Sequence, residues 1–197
     1  MTTDTSERGL ERLICAALTG APCDPAPAGT SIAEPTTSYG GAGYVRGNPS
    51  DYDREYAVDL AQLAVFLKAT QKELGPAVDI DNPSPTRQKF LARLQGEITR
   101  RGVIEVLRHG IKDGPRHFDL FYGAPSPGNK KARERFEQNR FSVTRQLRYS
   151  RDETQLALDL CLFINGLPIA TFELKNSLTK QTAADAVEQY IRDRDPR

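Results

Sequence analysis

Residues 156–175 read LALDLCLFINGLPIATFELK, and this stretch decides the fold. Leu156 to Ile164 is almost continuously apolar, Asn165-Gly166 is a strong turn signal, and Pro168 to Lys175 returns. Such a run predicts a hairpin whose first strand is covered on both faces. Three charges interrupt it: Asp159 on one arm, Glu173 and Lys175 on the other. Strand alternation points Glu173 and Lys175 the same way. Burying an unpaired charge is costly, so the three must meet one another or share a cation. A structural ion pair near the strand ends is the alternative, and the residues alone leave it open.

Hairpin parity sharpens the choice. Residues paired across a hairpin share a face. A plain two-residue Asn165-Gly166 loop pairs Asp159 with Phe172 and turns it away from Glu173. A common site therefore needs an odd loop or one bulge. The expected form is a three-residue turn with Gly166 in the left-handed region and a G1 bulge. Two hard carboxylates beside a lysine are the set for metal-assisted phosphodiester hydrolysis. Mg²⁺ takes carboxylate, water and phosphate oxygens, and a nearby lysine stabilises developing negative charge. Glu-x-Lys alone is weak evidence, since chance predicts about 0.5 such pairs in a chain of this composition; the aspartate on the opposite arm gives it weight.

Outward from the hairpin, Phe141 to Tyr149 reads as a strand, Lys131 to Gln138 as a charged helix, and Ala183 to Arg192 as a helix with Ala183, Val187 and Ile191 on one face. Upstream, Leu60, Leu63, Ala64 and Leu67 recur at helical spacing. Ser84-Pro85 opens a second helix, whose face is Phe90, Leu91, Leu94 and Ile98 and whose stop is Gly102. Val103 to Leu107 and Phe118 to Tyr122 read as strands around Lys112-Asp113-Gly114. Residues 19 to 50 hold five prolines and six glycines and read as irregular coil. Residues 1–50 are thus an arm and linker, and 51–197 a domain. The mixture of strands and helices without strict alternation predicts an α/β or α+β fold.

The chain has 197 residues, 27% charged and 38% hydrophobic, with a net charge of +1. That balance excludes a uniformly basic nucleic-acid coat. No apolar run of about 18 residues exists, so no membrane span is expected. The N-terminus carries acidic residues and no clear cleavage site, so no secretory signal is read. Cys15, Cys23 and Cys161 are odd in number and lack CxxC spacing, which predicts free thiols in a reducing cytoplasm. Tyr39-Gly40-Gly41-Ala42-Gly43 lacks the strand and helix that a phosphate cradle requires.

Two stretches carry a family likeness. Asn139-Arg140-Phe141-Ser142-Val143-Thr144-Arg145-Gln146-Leu147 and the span Asp159 to Asn176 resemble the restriction (R) subunit of type I restriction–modification enzymes. Leu178 to Thr182 and Asp193 to Pro196 are similar too, and the likeness runs from about Tyr52 to Arg197. It implies a PD-(D/E)xK, restriction-endonuclease-like core, a central mixed sheet flanked by helices. It implies a Mg²⁺-dependent endonuclease cutting double-stranded DNA, with Asp159 and Glu173 as metal ligands and Lys175 as the catalytic lysine. Methylation and specificity subunits are the implied partners, and ATP drives a motor elsewhere in such a subunit. The family's Gln-x-x-x-Tyr motif is incomplete: Gln189 is carried over, whereas Asp193 stands where the tyrosine belongs. The chain has no Gly-x-x-x-x-Gly-Lys-Ser/Thr loop, and it reads as a fragment with a later core strand beyond Arg197. A non-cleaving DNA-docking or assembly module with this fold is the other reading.

Residues 128 to 151 carry eight Lys/Arg against Glu134 and Glu137. This local excess can follow a DNA backbone, with Lys130, Lys131, Arg145 and Arg148 as candidates, or simply solvate a helix and protect an edge strand. Glu55 is a candidate helical glutamate for the metal site, though acids near a helix start also answer to its dipole. His109 and His117 lack zinc-ligand spacing and read as structural or exposed.

Overall fold

The computed structural model describes residues 6–21, 23, 41–151, 156–175, 187, 188 and 191. Helix α1 spans Glu7–Thr19. Ser6 caps it by accepting the Gly9 N–H at 3.0 Å, and Gly20, at φ 73°, ends it. Strands β1 (Val45–Arg46), β2 (Tyr52–Asp53) and β3 (Val58–Asp59) are short. Helix α2, Leu60–Thr70, is capped by Asp59, and a four-residue helix α3 covers Gly75–Val78. Helix α4, Pro85–Arg101, begins as expected, with Ser84 accepting the Arg87 N–H at 3.2 Å and proline first, and stops at Gly102. Helix α5 (Val103–His109), strands β4 (Ile111–Asp113) and β5 (Arg116–Phe118), and helix α6 (Lys130–Glu137) follow. Strands β6 (Phe141–Arg148), β7 (Ala157–Ile164) and β8 (Leu167–Phe172) complete the described elements.

The main sheet runs β1-β6-β7-β8, with β1 parallel to β6 and the other pairs antiparallel. It is a mixed sheet flanked by helices, as expected. Leu160 and Leu162 of β7 pack with Cys15 and Ile14 of α1, whereas Cys161 and Phe163 pack with Leu147, Tyr52 and Tyr149. Cover on both faces explains the apolar run of β7, which only Asp159 interrupts. The largest cluster joins α2, α4 and α5 to the β7–β8 turn through Phe66, Phe90, Phe118 and Leu167. No helix among the described residues is long and apolar enough to cross a membrane.

Several local expectations need correcting. Val103 to Leu107 is helical rather than extended. Val103, Val106 and Leu107 form a helical stripe, with Val106 and Leu107 buried beside α4, and that packing outweighs the β-branched bias. Strand β5 ends at Phe118, short of Tyr122. Beyond it, side-chain amides replace a neighbouring strand: Gln71 exchanges two hydrogen bonds with the Asp119 backbone, and Asn139 exchanges two with that of Tyr122. Within residues 19–50, read as irregular coil, β1 is an ordered strand, and α1 lies ahead of that stretch. The expected helix at Ala183 to Arg192 falls mostly outside the described residues; Val187, Glu188 and Ile191 are helical.

Cys15 and Cys23 form a disulfide, contrary to the expectation of free thiols, while Cys161 is free and buried. The left-handed Gly20 reverses the chain after α1, so Cys23 returns against the last turns of that helix. Spacing rules cannot see that reversal. Closing so short a loop is worth about 2–3 kcal/mol. We therefore expect Cys15→Ala/Cys23→Ala to lower the unfolding free energy by about that amount. Reductant should destabilise the parent equally and leave the double variant unchanged in denaturant titrations.

Burial pushes the Cys161 thiol up to about 12. Burial, then Cys161 and Asp53, raise the Tyr52 phenol to about 12. The fold keeps both protons while the unfolded chain releases them nearer their ordinary values of about 9 and 10. The unfolded state then binds fewer protons, so stability is full below about pH 9 and falls as pH rises toward 12. The thiol alone accounts for up to about 4 kcal/mol. Cys161→Ala should flatten the fall between pH 8 and 11 in urea midpoints, and an unchanged profile would refute this origin.

Candidate functional site

The β7–β8 turn contains two residues, Asn165 and Gly166, at φ 51° and 83°, the type I′ pattern. The expected three-residue turn is therefore absent. Two contacts enforce the tighter form. Asn165 is fully buried: its Nδ2 donates to the Leu120 carbonyl at 2.8 Å and to Asn139 Oδ1 at 3.0 Å, and its Oδ1 accepts the Arg140 N–H at 2.6 Å. A Cβ on Gly166 would lie 2.4 Å from the Asp59 carbonyl, so only glycine fits. The odd residue appears farther along. Pairing runs Ile164 with Leu167 and Phe163 with Pro168, then shifts so that Leu162 meets Ala170, leaving Ile169 as a bulge. Pro168, which lacks an N–H, stands beside it.

The bulge changes which side chains face each other. Leu160 now pairs with Phe172, the outermost pair of the ladder, and the same register continued by one residue matches Asp159 with Glu173. Strand β8 ends there because Asp159 Oδ2 accepts the Leu174 N–H at 2.7 Å. Glu173 and Lys175 are half-buried, and Leu174 packs with the Cys15, Val143 and Leu160 cluster. Among the described residues, no three His, Cys, Asp or Glu side chains gather as a metal-holding group.

A second carboxylate chain reaches Asp159 from α1. Glu11 is 2% exposed, and its Oε1 accepts from Arg145 Nε. Its Oε2 accepts from Gln146 Nε2 at 2.9 Å, and the same nitrogen lies 3.3 Å from Asp159 Oδ1. Consecutive strand residues ordinarily point to opposite faces, yet Arg145 and Gln146 both reach Glu11. The cause is Gln146 itself, at φ 49° within β6, where the ladder passes from Arg145–Leu160 to Leu147–Leu158 and skips it. Sequence reading missed both Glu11 and Gln146. The available signal was an acid at position 11 on the buried stripe that also carries Cys15.

Residues 122–197 match the Type I restriction enzyme R protein N terminus. The matched segment takes in α6 and the β6–β7–β8 ribbon, and with them Asp159, Glu173 and Lys175. The match spans the last 76 of the 197 residues. No curated protein and no solved structure matches the chain.

The remaining candidates lie within and outside the matched segment. Lys130 and Lys131 are exposed at the start of α6, and Arg148 is exposed at the end of β6. Arg145 is 17% exposed, with its guanidinium on Glu11 and the Cys23 carbonyl. Gln189 lies outside the described residues. Glu55 is exposed, and its carbonyl ties down Gln95 and Arg151. His109 and His117 are exposed and sit by Glu105 and Asp119. Gly41 to Gly43 lead into strand β1 rather than a helix.

Proposed function

We propose that this chain carries the DNA-cleaving centre of a type I restriction enzyme R subunit, a metal-dependent endonuclease acting on double-stranded DNA. The observation that carries the reading is the Ile169 bulge, which shifts the β7–β8 register by the one residue that a shared Asp159–Glu173 face requires, within the segment matched by the family. Two facing hard carboxylates suit Mg²⁺, which needs only one or two protein oxygens and fills its octahedron with waters and phosphate oxygens. When bound, the ion supplies Lewis-acid polarisation of the phosphate and an acidified water. Asp159 and Glu173 would hold it. Lys175 would orient the attacking water and offset charge on the phosphate, and the family likeness assigns Gln189 a contact with the site or the DNA. Lys130, Lys131 and Arg148 follow the phosphate backbone, while Arg145 holds Glu11 in place. Methylation and specificity subunits choose the target, and ATP drives the motor of the full subunit.

The test is substitution in the full subunit. Asp159→Ala, Glu173→Ala and Lys175→Ala should each abolish cleavage while ATP hydrolysis and translocation persist. Continued cutting by all three would leave only a DNA-docking or assembly role.

A further inference from the structure

Gln146 occupies a position that a β-strand alone does not explain. It is a non-glycine residue in the left-handed region, flanked on both sides by regular pairs of β6 and β7. What that conformation accomplishes is a contact: Nε2 reaches Glu11 Oε2 at 2.9 Å and Asp159 Oδ1 at 3.3 Å. Both neighbours are carboxylate oxygens, which fixes the amide orientation, because the opposite flip would aim Oε1 at two acceptors. Glu11 is nearly inaccessible and already balanced by Arg145. The other Asp159 oxygen is held by the Leu174 N–H.

We infer that Gln146 is a positioning residue, a neutral clamp that fixes the Asp159 carboxylate to Glu11 and so makes helix α1 part of the metal centre. The inference rests on the function proposed above. A primary amide suits the task because it donates to two anions without neutralising either. A lysine here would compete with the cation for Asp159, and a carboxylate would repel both partners. Strain at one backbone position is maintained because it turns the side chain toward α1. Partners that orient a metal-binding carboxylate commonly govern metal affinity by about tenfold or more.

Two variants separate clamping from mere structural support. Gln146→Gly removes the amide and relieves the left-handed strain, so stability should hold or rise. Gln146→Met keeps the length, lacks donors and retains the strain, so stability should fall. Mn²⁺ binding to the 197-residue chain, followed by electron paramagnetic resonance, should weaken about tenfold in both, whatever their stabilities. Affinity that tracks stability, or matches the parent in both variants, overturns the clamp. Asp159→Asn in the same titration isolates the underlying reading. If it binds Mn²⁺ like the parent, or the parent binds none, the metal centre itself is wrong. If Asp159→Asn loses binding while the Gln146 variants keep it, only the clamp fails.

Discussion

On the function proposed above, Asp159→Asn in the full subunit is expected to reduce DNA cleavage by about 1000-fold, a barrier increase of about 4 kcal/mol. Asparagine is the informative replacement because Asp159 has a structural duty as well as the proposed chemical one. Its Oδ2 receives the Leu174 N–H, and an amide oxygen can accept that bond equally. What asparagine lacks is the negative charge that offsets removal of water from Mg²⁺. In the proposed centre, one anionic ligand in place of two would bind the ion more weakly and polarise a phosphate less well. Thermal unfolding of the chain should shift little. Cleavage within tenfold of the parent, measured under conditions where translocation is intact, would place the scissile chemistry elsewhere.

Asn165→Ala is expected to cost about 5 kcal/mol, comparable to the whole stability of many domains. Its amide makes three bonds in a fully buried site. Truncation strands the Leu120 carbonyl and the Arg140 N–H, at about 1–3 kcal/mol each. Holding alanine at φ 51° adds about 1 kcal/mol. Asn165→Gly separates these effects: it should recover the backbone part, about 1 kcal/mol, and nothing else. Urea unfolding of both variants provides the measurement, and an alanine loss below about 2 kcal/mol would mean that water or repacking satisfies the stranded groups.

What was legible in the sequence had local causes. Ser84, Pro85 and Gly102 bound α4 because capping and ring geometry act within one turn. Asn165-Gly166 marked the hairpin because left-handed dihedrals restrict residue choice. Parity showed that a shared Asp159–Glu173 face required one odd residue, but not where it would fall. Its place depends on Asp59 and Leu63, which crowd Gly166 and forbid a wider turn. The same distinction explains α5, whose β-branched residues turn helical through packing with distant partners. It also explains the disulfide, which a chain reversal creates, and the Glu11–Gln146–Asp159 chain, whose members meet only after α1 docks on the sheet.

The Ile169 bulge has a consequence for colloidal behaviour. Among the described residues β8 is the last strand of its sheet, and an open strand edge is a template for runaway pairing between molecules. Here an incoming strand would meet a proline with no hydrogen to give, followed by a bend that breaks the repeat. The kink that aligns two carboxylates thus doubles as a guard against amyloid-like stacking.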